Sequence, residues 1–303
     1  MQNKIGEQYP EDDKTDPSGF LRRARLHQSR FRAKVLNLPY DNYGNYLTKE
    51  DGEIGNNFYR GFQIFEAVKK YRKYNKPLYS NMLRSEHIPF NIFIPLNLNK
   101  TFCKNVFNEF FNDAIQTIER IEIEFAPKPK ENYLDDKTSF DAYIEYSRSD
   151  NSKGILGIEV KYTEREYGLV GKSTQEKNII DKTSKYYSIS ERCKLYKPGA
   201  IYVLPNDKFR QVWRNHLLGE SILITDSEKF KYFTSMTLFP KGNQHFVKTG
   251  KEYIDLLVDN DNKFMPLTYE DFFDACIKHC PDDKYKKWLD YLTTRYIVTK
   301  EDE

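Results

Sequence analysis

The sequence GILGIEVKYTE, residues 154–164, places a glutamate and a lysine two positions apart inside an otherwise apolar run. Side chains on a β-strand point to alternate faces of the sheet. Glu159 and Lys161 therefore share one face, while Ile158 and Val160 point to the opposite face, where a core can form. The pattern predicts a buried strand whose polar face brings two opposite charges into one small space.

A second strand is predicted just upstream, over residues 139–146 (SFDAYIEY). Its apolar residues alternate and are expected to face the core: Ala142, Ile144 and Tyr146. This arrangement leaves Asp141 on the polar face. Residues 147–153 are polar and long enough for a turn between paired neighbouring strands. Asp141 and Glu159 can then meet beside Lys161 at one end of the sheet.

Two carboxylates beside an ammonium group have a definite chemical use. Carboxylate oxygens are hard ligands suited to Mg²⁺, which can polarise a phosphodiester and lower the pKa of a bound water. Lys161 could orient that water or neutralise the pentacovalent phosphate. Glu145 shares the face of Asp141 and could replace or assist it as a ligand. The alternative is an ordinary exposed ion pair, but the apolar flanks and the upstream Asp-bearing strand favour a site for nucleic acid hydrolysis.

An Asp followed, after a short hairpin, by an apolar-Glu-x-Lys strand resembles the PD-(D/E)xK nuclease superfamily. The segments RSEHIPFNIFIPL, SFDAYIEY, GIEVKYTE and RQVWRNHLL extend the resemblance to a bacterial group of restriction-endonuclease-like proteins, over about residues 79–280. The resemblance implies an α/β fold with a restriction-endonuclease-like core, in which a mixed central sheet is flanked by helices.

The resemblance also assigns roles to particular residues. It implies that Asp141 and Glu159 bind Mg²⁺, with Mn²⁺ as a substitute, and that the carbonyl of Val160 is a further ligand. Lys161 is then the lysine of the motif. Phe140 stands where the name of the motif has proline. Because that proline contributes no catalytic group, we expect the departure to be tolerated.

Accessory residues are expected on both sides of the motif. In such nucleases a helix before the core can add a glutamate, for which Glu86 is the candidate. A helix after the second acid often carries polar residues into the site, and Gln211 and Arg214, three residues apart, could share the face that points there. Glu164 could brace Lys161 or help to hold the metal.

Three regions are expected along the chain. Residues 1–19 are polar and contain Pro10, Pro17 and Gly19, which predicts a disordered or loosely attached leader. Helical spacing of apolar residues predicts a helical N-terminal region over residues 20–76, added to a nuclease-like domain over residues 77–303.

Within the nuclease-like domain, three consecutive strands, 120–125, 139–146 and 154–163, predict an antiparallel meander. The segments GAIYVLP (199–205) and EYIDLLV (252–258) are also interpreted as strands.

Composition limits the class of protein. The 303 residues are 39% hydrophobic and 31% charged, and no apolar run reaches the roughly 18 residues of a transmembrane helix. The first residues lack the apolar segment of a secretory signal, so the expected location is cytoplasmic. Four cysteines are too few for a disulfide framework in a chain of this length and are expected to be reduced.

The net charge of +3 does not by itself indicate a polyanionic partner, but basic residues cluster between Phe20 and Tyr40, where no acid occurs. The cluster is either an arm that contacts nucleic acid phosphates or a solvated helix face balanced by acids elsewhere. Its arginines are Arg22, Arg23, Arg25, Arg30 and Arg32.

These observations predict a Mg²⁺-dependent endonuclease that hydrolyses DNA, with a role in restriction or anti-phage defence. The alternatives are a non-catalytic nucleic-acid-binding protein on the same scaffold and an RNase, because such a site recognises phosphate rather than sugar. Cleavage of both strands of a duplex needs two active sites, and a homodimer would supply them.

Overall fold

The computed structural model describes residues 4–166 and 168–299. Within these residues one mixed sheet has five strands: β1 (Thr117–Phe125), β2 (Phe140–Ser147), β3 (Lys153–Val160), β4 (Tyr232–Phe239) and β5 (Phe264–Thr268). The helices are α1 (Asp12–Thr15), α2 (Phe20–Phe31), α3 (Lys49–Glu53), α4 (Ile64–Tyr71), α5 (Lys76–Tyr79), α6 (Ile88–Leu98), α7 (Lys100–Phe111), α8 (Thr174–Ile180), α9 (Lys185–Arg192), α10 (Asp207–Thr225), α11 (Gln244–Asp255), α12 (Tyr269–Lys278) and α13 (Asp283–Tyr296). A π-helical turn continues α2 over Arg32–Leu36, and 3₁₀ turns cover Ser85–His87, Lys130–Asn132 and Ala200–Tyr202.

The strands follow one another across the sheet in chain order. The first three form the predicted antiparallel meander. β4 then pairs parallel to β3, after a connection that contains α8, α9 and α10, and β5 pairs parallel to β4. Pro266 lies in β5, and its missing N–H is tolerated there because β5 is an edge strand. The prediction of a mixed sheet flanked by helices is confirmed.

Helices cover both faces of the sheet, and strand alternation divides the buried residues between two cores. The first core lies between the sheet and α6, α7, α12 and α13, and it receives Ile144 and Ile158. The second core lies between the opposite face and α9, α10 and α11, and it receives Tyr143 and Ile155. The polar face predicted for Asp141 and Glu159 is therefore the face of the second core, at the end of the strands.

Phe140 and Gly157 fit together in the second core beside the predicted site. Phe140 is fully buried, and a Cβ atom on Gly157 would lie 2.3 Å from its Cε1 atom. Glycine is therefore needed at position 157, because the Phe140 ring occupies the space of a side chain. Phe140, which stands in place of the proline of the motif, anchors the start of β2 directly before Asp141.

The N-terminal residues are attached more firmly than predicted. Asp12 is buried and pairs with Arg25 of α2 at 2.6 Å, and the main-chain N–H of Gly44 donates to the carbonyl of Glu7 at 2.8 Å. The prediction of a disordered or loosely attached leader is wrong for residues 4–19, because their contacts include a buried ion pair. Residues 1–3 of that leader lie outside the described residues, and the boundaries between the three regions stay a prediction.

Two predicted strands are helical instead. The segment EYIDLLV begins inside α11, where the buried residues Phe246, Gly250 and Tyr253 recur at helical spacing rather than at every second position. The segment GAIYVLP forms the Ala200–Tyr202 3₁₀ turn, and the Tyr202 side chain is 83% exposed. Short apolar runs fit either structure, which is the reason for both errors. No helix formed by the described residues is long and apolar enough to cross a membrane.

Candidate active site

Asp141, Glu159 and Lys161 meet where β2 begins and β3 ends. The register Ala142↔Ile158 places Asp141 beside Glu159 on the neighbouring strand. Asp141 Oδ2 accepts a hydrogen bond from the main-chain N–H of Val160 at 2.7 Å, and Lys161 Nζ lies 2.6 Å from Glu159 Oε1. The structure thus brings together the three side chains on which the sequence prediction depends.

Lys161 is also fixed through its main chain. Its N–H donates to the carbonyl of Leu238 in β4 at 2.8 Å, and its own carbonyl accepts a hydrogen bond from the Tyr269 hydroxyl at 2.6 Å. The Lys161 side chain is only 7% exposed and the Glu159 side chain 12% exposed. Their ion pair is therefore screened little by solvent, unlike the exposed pair that the sequence left as an alternative.

Helix α10 supplies two amide side chains that hold Glu159. Gln211 Nε2 donates to Glu159 Oε1 at 2.6 Å, and Asn215 Nδ2 donates to Glu159 Oε2 at 2.7 Å. Residues four apart lie on the same face of a helix, so one face of α10 presents both donors. Thr138 Oγ1 donates in turn to Asn215 Oδ1 at 3.3 Å. The carboxylate of Glu159 is consequently held in one orientation.

The surroundings of Asp141 oppose its ionisation. The pKa of this half-buried carboxyl is raised well above its ordinary value, first because burial disfavours the ionised form and then because Glu159 carries like charge. The charge of Lys161 and the N–H of Val160 act in the opposite direction without cancelling the rise in pKa. A cation bound between the two carboxylates would remove this repulsion.

The oxygens present fit Mg²⁺. Each carboxylate oxygen offers two lone pairs. Glu159 Oε1 accepts from both Lys161 and Gln211, whereas Glu159 Oε2 and Asp141 Oδ2 each accept one hydrogen bond from the described residues. Acceptor capacity therefore remains on both acids. The described residues contain no cluster of three or more His, Cys, Asp or Glu side chains able to hold a metal. Since Mg²⁺ keeps several waters, two carboxylates and a main-chain carbonyl are a sufficient donor set.

Glu145 lies away from this site, and its prediction as a ligand is wrong. It is on the same face as Asp141 but four residues further along β2, which is about 13 Å. Its buried carboxylate accepts hydrogen bonds from Arg120 Nη1 at 3.1 Å and from the Tyr143 hydroxyl at 3.1 Å, and it pairs with Lys229 at 3.2 Å. Its acceptors are therefore occupied elsewhere.

Arg214, predicted to point into the site together with Gln211, pairs instead with Asp136. Its Nε and Nη2 atoms donate to Asp136 at 2.6 and 2.8 Å, and the Tyr186 hydroxyl contacts the same carboxylate. Burial opposes ionisation of Asp136, but the hydrogen bonds and charge of Arg214 outweigh it and lower the pKa of Asp136. Of the two predicted α10 residues, Gln211 contacts the site and Arg214 stabilises the neighbouring segment.

The remaining acidic residues have structural contacts. Glu164 accepts main-chain hydrogen bonds from Ser85 at 2.7 Å and from Tyr162 at 2.8 Å, so it ties the end of β3 to the 3₁₀ turn before α6. Glu86, in that turn, pairs with Arg84 at 3.2 Å. An accessory role in the site stays a prediction for both Glu86 and Glu164.

The arginine cluster divides into two groups. Arg25 is buried against Asp12, and Arg32 is buried with its Nε donating to the carbonyl of Gly44 at 2.7 Å. The predicted contact with nucleic acid is wrong for these two, because their guanidinium groups are occupied inside the protein. The other members of the cluster lie nearer the surface, and nucleic acid binding stays a prediction for them: Arg22, Arg23 and Arg30.

Sequence reasoning missed Asn215, Asp136 and Glu124. Asn215 could have been predicted, because it lies four residues after Gln211 on the same helical face. Asp136 lies in the loop before β2, where no periodicity signals a contact. Glu124 lies on β1, and the register Ile123↔Ala142 and Phe125↔Phe140 places it opposite Asp141. Its position depends on strand pairing across the sheet, which cannot be deduced from its own strand.

The mixed sheet, its flanking helices and the acids at the end of two antiparallel strands define a restriction-endonuclease-like α/β protein. The family model of the PD-(D/E)XK nuclease superfamily matches residues 11–298, and the chain belongs to that superfamily. Its members are in general nucleases that typically use divalent metals, which makes nucleic acid the class of substrate. No curated protein and no solved structure matches the chain.

Proposed function

We propose that this protein is a Mg²⁺-dependent endonuclease that hydrolyses DNA phosphodiester bonds, with Mn²⁺ as a substitute. The observation that supports the proposal most is the meeting of Asp141, Glu159 and Lys161 around one end of β2 and β3. A role in restriction or anti-phage defence belongs to the same proposal and is tested by phage plating on cells that carry the wild type or an inactive variant.

Asp141 and Glu159 would hold the metal, with the carbonyl of Val160 as a third protein ligand. When bound there, Mg²⁺ supplies Lewis-acid polarisation of the phosphodiester and lowers the pKa of a bound water. Gln211 and Asn215 keep the Glu159 carboxylate oriented toward that position. Such supporting residues typically change metal affinity or activity by 10- to 100-fold when they are removed.

Lys161 supplies the positive charge of the site. Its ammonium group pairs with Glu159 Oε1 at 2.6 Å. The ammonium group can orient a water for in-line attack and stabilise negative charge that develops on the phosphate oxygens. Because Lys161 is buried and its main chain is held by β4 and Tyr269, its position is set before substrate arrives.

The test is cleavage of linear and circular duplex DNA by the purified protein in Mg²⁺ and in Mn²⁺. We expect the wild type to cut the circular substrate, and Lys161→Ala, Asp141→Asn and EDTA each to reduce the rate by about 10²-fold or more. Lys241→Ala is the matched control, since Lys241 forms an exposed ion pair with Asp271 at 2.8 Å. This variant should cleave DNA at the wild-type rate.

Other results of the cleavage assay would each indicate a different function. Binding of DNA without cleavage in either metal would contradict the proposal and favour a non-catalytic nucleic-acid-binding protein. Faster cleavage of RNA than of DNA would identify an RNase, and cleavage of linear DNA alone would identify an exonuclease. Light scattering of the protein with and without DNA tests the homodimer that cleavage of both strands would require.

A further inference from the structure

A second charged pair lies on the β1 side of the candidate active site. Glu124 of β1 faces Asp141 of β2 across the sheet, as the flanking register pairs require. The single Nε–H of Arg72 is shared between the two carboxylate oxygens of Glu124, at 2.8 and 2.7 Å, and Arg72 Nη2 donates to Oε1 at 2.6 Å. Three neighbouring strands thus carry the acids Glu124, Asp141 and Glu159 side by side.

The backbone of β1 changes direction at Glu124. Its φ is +57°, in the left-handed region that a non-glycine residue rarely adopts inside a strand. Ile121 and Ile123 face the first core, and strand alternation would place Phe125 there as well. The Phe125 ring instead stacks on Tyr143 in the second core, with the two ring centroids 3.9 Å apart. The left-handed residue therefore reverses the facing of the strand, and such conformations cluster at functional sites.

Arg72 is held at both its main chain and its side chain. It follows the last residue of α4, and its carbonyl accepts a hydrogen bond from the buried Tyr79 hydroxyl at 2.7 Å. Its side chain is 51% exposed, and Glu124 engages Nε and Nη2, leaving Nη1 without a hydrogen-bond partner in the described residues. A bidentate contact fixes the direction of a guanidinium group as well as its distance.

Acidic residues of the candidate site act on the charge of Arg72. The pKa of Arg72 is raised, first by its hydrogen bonds to Glu124 and further by the negative charges of Glu124, Glu86 and Asp141. Arg72 therefore lies within the electrostatic field of the candidate active site. A planar guanidinium group with a spare N–H edge is well suited to phosphate. Its neighbours Tyr71 and Glu124 line a cavity of about 560 Å³ whose walls also include Arg120 and Glu145.

We propose that Arg72, oriented by Glu124, contacts a backbone phosphate of the nucleic acid strand bound at the Asp141 and Glu159 site. Arg72 would then be a substrate-binding residue and Glu124 a positioning residue. The inference rests on the proposed function, because it takes the substrate to be nucleic acid at that site. It adds a contact on the β1 side, whereas Lys161 and Gln211 lie on the β3 and α10 side.

The test measures binding separately from cleavage. A fluorescein-labelled duplex oligonucleotide is titrated with the full-length protein in EDTA, by fluorescence anisotropy, at salt concentrations from about 50 to 200 mM. For Arg72→Ala we expect binding about tenfold or more weaker and a slope of log affinity against log salt that is less steep by about 0.9, the value for one phosphate contact. Arg72→Lys should keep most of the slope, because the charge remains, while it binds more weakly than the wild type.

Glu124→Gln tests orientation. It leaves the charge of Arg72 in place, so the salt slope should stay at or above the wild-type value while the KM for cleavage rises. Arg148→Ala is the matched control: it removes an arginine stacked over Tyr232, 4.4 Å from the ring centroid, at the other end of the sheet. It should leave both affinity and slope unchanged. Circular dichroism of each variant verifies that it is folded.

The outcomes separate this inference from the proposed function. A wild type that cleaves DNA, with Arg72→Ala unchanged in affinity and slope, overturns the role of Arg72 alone. A wild type that binds without cleaving, with a reduced slope for Arg72→Ala, supports the contact and contradicts the nuclease proposal. A wild type that neither binds nor cleaves nucleic acid overturns both.

Discussion

Replacement of Gly157 by alanine should destabilise the sheet beside the candidate site. The added Cβ would lie 2.3, 2.6 and 2.7 Å from three atoms of the Phe140 ring, whereas carbon atoms in contact prefer about 3.5–4.0 Å. The ring must therefore retreat by about 1 Å. It is fully buried and is flanked by Tyr143 and Phe233, with ring centroids 6.3 and 6.2 Å away. Overpacking of this kind costs about 1–3 kcal/mol of unfolding free energy.

The assay is urea unfolding followed by circular dichroism, with a double-mutant cycle between Gly157→Ala and Phe140→Leu. If the clash is the cause, the smaller side chain at 140 should relieve it, and the double variant should be more stable than the sum of the single changes predicts. Gly171→Ala is the control, since no atom lies within 4 Å of the Cβ that it would add. A Gly157→Ala variant as stable as the wild type, or one whose effect simply adds to that of Phe140→Leu, would refute the reasoning.

Three other substitutions test the charged and polar contacts. Asn215→Ala removes one donor to Glu159 and should weaken Mn²⁺ binding, measured by calorimetry, by about 10- to 100-fold while the protein stays folded; unchanged affinity would exclude the positioning role. Asp136→Asn breaks the buried pair with Arg214 and should cost about 3–5 kcal/mol in urea unfolding. Because the pKa of Asp136 is lowered in the folded state, the pair's contribution should be full above its unfolded pKa and should be lost as the pH falls below about 4. Burial raises the pKa of Glu220 to about 7, so the pH dependence of its contribution has the opposite sign. The contribution of Glu220 is full below about pH 4 and is lost as the pH rises through 7, a loss that Glu220→Gln should abolish.

The central part of the site could be predicted because it depends on a short-range rule. Strand alternation alone places Asp141 and Glu159 on one face, and a turn-length separation makes their strands neighbours. Gln211 follows from the family resemblance together with helix periodicity. Each of these inferences uses positions that lie close together in sequence or on one regular element.

The wrong or missed site residues have a common physical origin: the sequence pattern does not give the distance along a strand or helix, nor the distance between two elements. Glu145 has the correct face but lies about 13 Å too far along β2, because alternation fixes the side of the sheet and not the height. Arg214 is on a neighbouring row of α10, and Asp136, in an irregular loop, attracts its guanidinium group. Arg72 and Glu124 lie 52 positions apart in the sequence, which contains no local pattern for their contact.

The attachment of the first residues matters for how the protein is produced. Arg25 and Arg32 point away from solvent, and their partners include Asp12 and the carbonyl of Ile5. A truncated version starting at residue 20 would leave two cationic groups without those partners in a region that water hardly reaches. Expression screens that trim this end to improve crystallisation should consequently give insoluble material.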